Sequence, residues 1–243
     1  MRALRRPISL PVSAGRRGQV WLLDLDDTLH DAQPVIMPRI NHAMTQYVAR
    51  HLGVSHETAG TLRRQYWQRY GATLLGMIVH HQVDPHHYLR ETHPFPDLEQ
   101  LVKRNARLAR AVASLPGRRV VLTNAPWAYA RRVVRRLGIA PSLEGIIPIE
   151  AMRFAGRLQP KPSAAMMRRI VARLRAPAAR CVLVEDSIDN LAGARKAGLR
   201  TVLVTGLNQA RRPPHHRSRA GAARPAGLQV QSIESLSARL RAR

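Results

Sequence analysis

Carboxylates and hydrogen-bonding side chains stand in this chain where short apolar runs stop. Val20-Trp21-Leu22-Leu23 leads into Asp24-Leu25-Asp26-Asp27-Thr28, Val120-Val121-Leu122 into Thr123-Asn124, and Cys181-Val182-Leu183-Val184 into Glu185-Asp186. A carboxylate such as Asp24 can attack phosphorus, and a second carboxyl group two positions on, Asp26, can protonate a leaving oxygen and later take a proton from water. Taken alone, this pair fits a solvated Asx-turn equally well. The wider set shifts the balance. The Thr123 hydroxyl, Asn124 and the backbone N–H groups of a strand-to-helix turn can hold a phosphate. Lys161, one of only three lysines beside Lys103 and Lys196 in an arginine-dominated chain, can neutralise transferring phosphoryl oxygens. Carboxylates brought together repel unless a cation lies among them, so a divalent metal is implied, held by Asp24 and Asp186, with Glu185 outside them holding a metal-bound water or Lys161.

Apolar runs of this kind read as strands buried on both faces, the pattern of a parallel sheet covered by helices. In such sheets the ligand site lies at the carboxyl ends of the strands, which is where all these residues fall. Residues 32–103 show helical spacing and no strand: helices are expected over Met37–Leu52 with Gly53 as stop, from Ser55 to Tyr70 with Gly71 as break, and from Thr73 toward Val79. Strand–helix alternation then resumes. A helix near Leu98–Leu115 precedes a strand at Arg119–Leu122, a helix over Trp127–Leu137 stops at Gly138, and Gly145–Ile149 reads as a short strand whose Pro148 favours an edge or bend. Ser163–Leu174 reads as a helix with Pro162 in its first turn, Asn190–Ala197 as another closed by Gly198, and Thr201–Val204 as the last core strand. The organisation expected is a flexible basic leader over 1–18, an α/β core over 19–31 and 104–210, a helical insertion over 32–103, and a basic, largely flexible tail over 211–243 with a short helix after Ser232.

The formal net charge is +25, which points toward a nucleic-acid partner. Its distribution points away from one, because arginine pairs recur all along the chain rather than forming a stripe, so solvated helix faces rich in arginine are the better reading, and the overall positive field would still draw a phosphorylated substrate. No apolar stretch approaches the roughly 20 residues that span a bilayer. The leader's apolar stretch, Ile8 to Val12, is too short and too proline-interrupted for the apolar region of a signal peptide, although the leader's arginines and serines resemble a transit segment. The single cysteine, Cys181, sits inside an expected strand as a small buried hydrophobe, which excludes an internal disulfide and suits a reducing cytoplasm.

With these residues in place the chain resembles the haloacid dehalogenase-like hydrolase superfamily. Its four motifs appear in order as Asp24-Leu25-Asp26-Asp27-Thr28, Leu122-Thr123-Asn124, Lys161-Pro162 and Val184-Glu185-Asp186-Ser187, over residues 19 to 206. The resemblance implies an α/β fold: a Rossmann-like, doubly wound parallel sheet core with an all-helical cap of the C1 type inserted after the first strand. It implies Asp24 as nucleophile, Asp26 as acid/base, Thr123 and Lys161 as phosphate ligands, and Mg²⁺ held by Asp24, Asp186 and the backbone carbonyl of Asp26. The carboxyl group of Asp26 points to a phosphatase, since displacement of a halide needs no proton donor. More narrowly, Asp24 to His30, the segment Tyr70-Gly71-Ala72-Thr73-Leu74-Leu75-Gly76-Met77 and Thr123-Asn124-Ala125 are similar to the pyrimidine 5′-nucleotidase branch. That similarity implies a pyrimidine nucleoside monophosphate, UMP or CMP, as substrate, and Tyr70 and Thr73 as its contacts. The alternatives are a phosphatase or phosphomutase for another small phosphoester, such as a sugar phosphate or phosphoglycolate, and, outside enzymes, a basic nucleic-acid-binding protein.

Other features read as structural. His80, His81, His86 and His87 lack the carboxylate or thiolate pattern of a zinc site. Asp27 is expected to face solvent or cap the turn, Asp189 and Asn190 to open a helix, and Trp21 and Trp127 to pack in the core.

Overall fold

The computed structural model describes residues 18–207 and 227–242. The expected leader, apart from Gly18, and residues 211–226 of the expected tail lie outside the described residues. The chain divides into two compact units, one formed by Ala32–Leu101 and the other by the residues on either side of that insertion.

Strand β1 (Val20–Leu23) opens the sheet-containing unit. The inserted unit is helical throughout: α1 (Ile36–Leu52), α2 (His56–Tyr70), α3 (Thr73–His81), α4 (Pro85–Thr92) and the single turn α5 (Leu98–Leu101). Gly53 and Gly71 both take left-handed φ as they end α1 and α2, as their positions suggest. Ser55 caps α2 by accepting from the Thr58 N–H, and Asp84 caps α4 by accepting from that of His86. The α2–α3 packing leaves no room for a side chain at Gly76, where a Cβ would come within 2.2 Å of the Tyr66 ring.

The chain returns through α6 (Ala106–Ser114), β2 (Arg118–Leu122), α7 (Trp127–Leu137), β3 (Gly145–Ile147), β4 (Arg153–Phe154), β5 (Arg157–Leu158), α8 (Ala164–Arg173), β6 (Cys181–Glu185), α9 (Ile188–Lys196), β7 (Arg200–Val204), β8 (Leu228–Val230) and α10 (Ile233–Arg241). Among the described residues the main sheet has six strands in the order β3-β2-β1-β6-β7-β8, and every pairing is parallel. β1 and β6 are buried along their whole length, as strands with helices on both faces must be. β3, ended by Pro148, is an edge strand.

Four expectations need correction. The helix expected over Leu98–Leu115 is two helices, because the Asn105 side chain accepts from the N–H groups of Arg107 and Leu108 and starts α6 afresh. Pro162 is not in the first turn of α8; Ser163 is the N-cap, accepting from the Met166 N–H, and the Lys161–Pro162 peptide bond is cis. Thr201–Val204 is not the last strand. β8 extends the sheet beside β7, and α10, capped by Ser232 as expected, is tied to α6 by a 2.6 Å bond between the hydroxyls of Ser237 and Ser114. Trp127 is not a core residue, being 42% exposed, whereas Trp21 is buried and its indole N–H donates to the Pro116 carbonyl.

Candidate active site

The sheet order places a topological switch between β1 and β6. The chain runs from β1 outward through β2 to β3, then returns to the other side of β1 as β6 and continues to β7 and β8. Helices leaving the two halves diverge there, and the crevice beyond the carboxyl ends of β1 and β6 is the natural ligand site of such a sheet. Leu23 is in register with Val184 of β6 and Val121 of β2, and the Asp24 N–H continues the ladder by donating to the Val184 carbonyl at 2.9 Å. Asp24 therefore stands level with Glu185, and Thr123 one residue beyond the same level on β2.

Lys161 reaches this point from the loop before α8. Its Nζ lies 2.5 Å from Asp24 Oδ1 and 2.7 Å from Glu185 Oε2, and the three residues are 2%, 6% and 1% exposed. Thr28 donates to Asp24 Oδ2 at 3.3 Å, and the Ser187 N–H donates to Glu185 Oε1 at 3.1 Å. The loop carrying Lys161 is held from two sides. The Asn124 carboxamide brackets it, donating through Nδ2 to the Lys161 carbonyl at 3.1 Å and accepting from the Lys161 N–H at 3.0 Å. On the other side Gly193 of α9 lies against Pro162, where a Cβ would come within 2.0 Å of the Pro162 carbonyl oxygen. Thr123 is buried and its Oγ1 accepts from the Ala125 N–H at 3.0 Å, shaping the turn after β2.

Asp26 is held separately. Its Oδ1 accepts from the Tyr129 hydroxyl at 2.6 Å and lies 2.9 Å from His30 Nε2. Neither partner was expected from the sequence. His30 lies two residues beyond the first motif without a role that spacing alone suggests, and Tyr129 is 103 positions from Asp26 on α7, so no local pattern links the two. Asp27, contrary to a solvent-facing reading, is buried in a left-handed conformation with φ of 62°, its N–H bonded to the His30 carbonyl at 2.8 Å. This tight turn brings the His30 ring back over Asp26.

The electrostatics follow from burial and from a surplus of negative charge. Burial raises the Asp24 carboxyl above its ordinary range; Lys161 opposes this and Asp186 adds to it. Glu185 is raised strongly, by burial first and then by Asp24, against the pull of Lys161. Burial alone would lower the Lys161 ammonium, but Asp24 and Glu185 outweigh it and hold the group above its ordinary value, so it is a fixed cation. The Tyr129 hydroxyl is pushed well up, by burial and then by Asp26, and stays a proton donor. One lysine thus stands among three carboxylates, and a further cation would relieve the remainder. Asp24, Glu185 and Asp186 each offer a carboxylate oxygen, all within 4.8 Å of one another, and this is the one such cluster of His, Cys, Asp or Glu among the described residues. Hard oxygen donors so gathered suit Mg²⁺. His80, His81 and His87 instead pair with tyrosines: Tyr70 with His80 and Tyr66 with His81 at 2.6 Å each, and Tyr47 with His87 at 2.8 Å.

The two remaining expected site residues belong to the helical unit. Tyr70, half-buried at the end of α2, directs its hydroxyl to His80, and the buried Thr73 donates to the Arg63 carbonyl at 3.2 Å. The sheet-containing unit itself assembles Asp24, Asp26, Thr123, Asn124, Lys161, Glu185 and Asp186 at one end of its strands.

A six-stranded parallel sheet flanked by helices, with buried carboxylates and a buried lysine at its switch point, is a Rossmann-like α/β core with a polar site at its strand ends. The haloacid dehalogenase-like hydrolase family model matches residues 19–198, and the chain belongs to that family. Phosphate metabolism protein 8 of Saccharomyces cerevisiae is 24% identical over 139 residues, a match that spans 53% of this chain and 42% of the yeast protein. Two solved structures share the fold. CbbY from Rhodobacter sphaeroides in complex with phosphate is 19% identical with a TM-score of 0.58, over 90% of this chain and 96% of that one. The HAD-hydrolase YfnB from Bacillus subtilis bound to magnesium is 15% identical with a TM-score of 0.55, over 93% and 99%. Among the described residues no helix is long and apolar enough to cross a membrane.

Proposed function

We propose that this hydrolase is a phosphomonoesterase that works through an aspartyl-phosphate on Asp24, with a pyrimidine nucleoside monophosphate, UMP or CMP, as substrate. The observation that carries the phosphatase reading is the second carboxyl group, Asp26, held in place by two side chains beside the Asp24–Lys161–Glu185 cluster. An alkoxide leaving group needs a proton and a halide does not, so a fixed carboxyl at this position suits phosphoester cleavage.

In the first half-reaction a carboxylate oxygen of Asp24 bonds to phosphorus as the ester P–O bond breaks, and Asp26 delivers its proton to the departing oxygen. In the second, Asp26 takes a proton from water as that water bonds to phosphorus, releasing inorganic phosphate and restoring the Asp24 carboxylate. Lys161, charged and fixed, offsets the charge of the phosphoryl oxygens, and Thr123 with the turn after β2 holds the phosphate. Asn124 serves the site through the Lys161 backbone that it brackets. We assign Mg²⁺ to Asp24, Asp186 and the Asp26 carbonyl, with Glu185 behind them on Lys161; the ion supplies neutralisation of the phosphate dianion against this acidic cluster. Cys181 takes no part, since burial pushes its thiol up to about 11. A buried, reduced thiol suits our assignment of the enzyme to the cytoplasm.

The cluster meets only the groups common to all phosphomonoesters, so discrimination falls to other residues, and we assign it to Tyr70 and Thr73. The similarity of the segment around them to the pyrimidine 5′-nucleotidase branch supports this. Phosphate release should be measured across nucleoside monophosphates, sugar phosphates and an activated aryl phosphate. The reading predicts preference for UMP and CMP, loss of all activity in excess chelator, and a larger loss for Tyr70→Ala on UMP than on the aryl phosphate. Preference for a sugar phosphate would overturn the nucleotide assignment, and full activity in chelator would overturn the metal.

A further inference from the structure

We propose that Tyr129 and His30 are positioning residues that aim the Asp26 carboxyl group for proton transfer. An aspartate side chain is short, and rotation about its χ2 is broad, so backbone placement alone does not direct its two oxygens. Here both neighbours converge on Oδ1, the Tyr129 hydroxyl at 2.6 Å and His30 Nε2 at 2.9 Å. Because both contacts fall on one oxygen from different directions, they fix the plane and the direction of the whole carboxyl group.

The two neighbours arise from separately fixed backbone. His30 is 9% exposed and is locked by the bond from the Asp27 N–H to its carbonyl. Tyr129 is 3% exposed and sits in the first turn of α7, which is anchored where the Trp127 N–H meets both oxygens of Glu150 at 3.0 Å. The carboxyl group is thereby triangulated between the loop after β1 and the helix after β2, in the manner that holds a proton donor to one approach.

This proposal rests on the acid/base reading of Asp26, and the experiment separates the two. Full-length wild type, Asp26→Asn, Tyr129→Phe, His30→Ala and His30→Gln are compared for kcat/KM on a nucleoside monophosphate, whose leaving group needs protonation, and on an activated aryl phosphate, whose leaving group does not. The ratio of the two rates is unaffected by the folded fraction of a variant. Tyr129→Phe and His30→Ala should each lower that ratio about tenfold, the upper end of what one hydrogen bond contributes. His30→Gln, whose side-chain amide can still donate, should recover most of the loss. Equal losses on both substrates, with no recovery by glutamine, would show that the two residues only pack the core and would overturn the proposal. Equal losses for Asp26→Asn itself would overturn the acid/base reading, and this inference with it.

Discussion

The two units bury their polar groups in opposite ways. In the sheet-containing unit Lys161 is enclosed by Asp24 and Glu185 with Asp186 nearby, an arrangement with more negative than positive charge in a buried place. In the helical unit the partly buried pairs include tyrosine with histidine, Tyr66 with His81 and Tyr47 with His87, and Arg63 with Asn41, while Tyr70 meets His80 at the surface. Two buried atoms there, Arg63 Nε and Tyr88 Oη, have no hydrogen-bond partner. Pairs of that kind satisfy side chains at modest gain and serve packing. Buried like charges are costly and persist where surrounding structure enforces them for chemistry. A cation and the loss of a charge should therefore act on the sheet-containing unit and not on the helical one.

The largest effect expected is on turnover. Asp24→Asn should lower kcat by about a thousandfold or more, because an amide cannot accept the phosphoryl group, while circular dichroism shows the fold unchanged. Lys161→Ala comes next. It leaves two buried carboxylates facing each other, and should destabilise the protein by about 3–5 kcal/mol in urea unfolding. Smaller is the metal effect: Mg²⁺ at about a hundred times its Kd should stabilise the wild type by about 2.7 kcal/mol, and Asp186→Asn should abolish that gain. The smallest belongs to the helical unit. Tyr66→Phe should cost about 1 kcal/mol, leave the Mg²⁺ stabilisation intact and leave aryl phosphate hydrolysis unchanged. A Mg²⁺ response lost in Tyr66→Phe and kept in Asp186→Asn would break the contrast between the units.

The core was legible because each strand carries its own signal. Val20–Leu23, Val120–Leu122 and Cys181–Val184 are apolar runs followed at once by polar residues, and parallel pairing brings those ends to one edge whatever lies between. The helical unit was legible for another reason, since Ser55, Gly53 and Gly71 mark its ends locally. What escaped depends on contacts between distant segments. β8 has three residues and gains its identity from β7, with Leu228 paired to Val202. Tyr129 looks like one more apolar position on α7 until the fold brings Asp26 beside it. The bracket of the Asn124 carboxamide around Lys161 joins positions 37 residues apart, so this contact left no local signal.

The central claim is a covalent intermediate on Asp24, and acid-quenched labelling tests it most directly. The protein is mixed with a radiolabelled phosphomonoester, quenched during turnover and digested. Label recovered on the peptide containing Asp24 in wild type, and absent in Asp24→Asn, is the predicted result. Rapid release of labelled phosphate with no label on the protein at any quench time, together with turnover retained in Asp24→Asn, would contradict it.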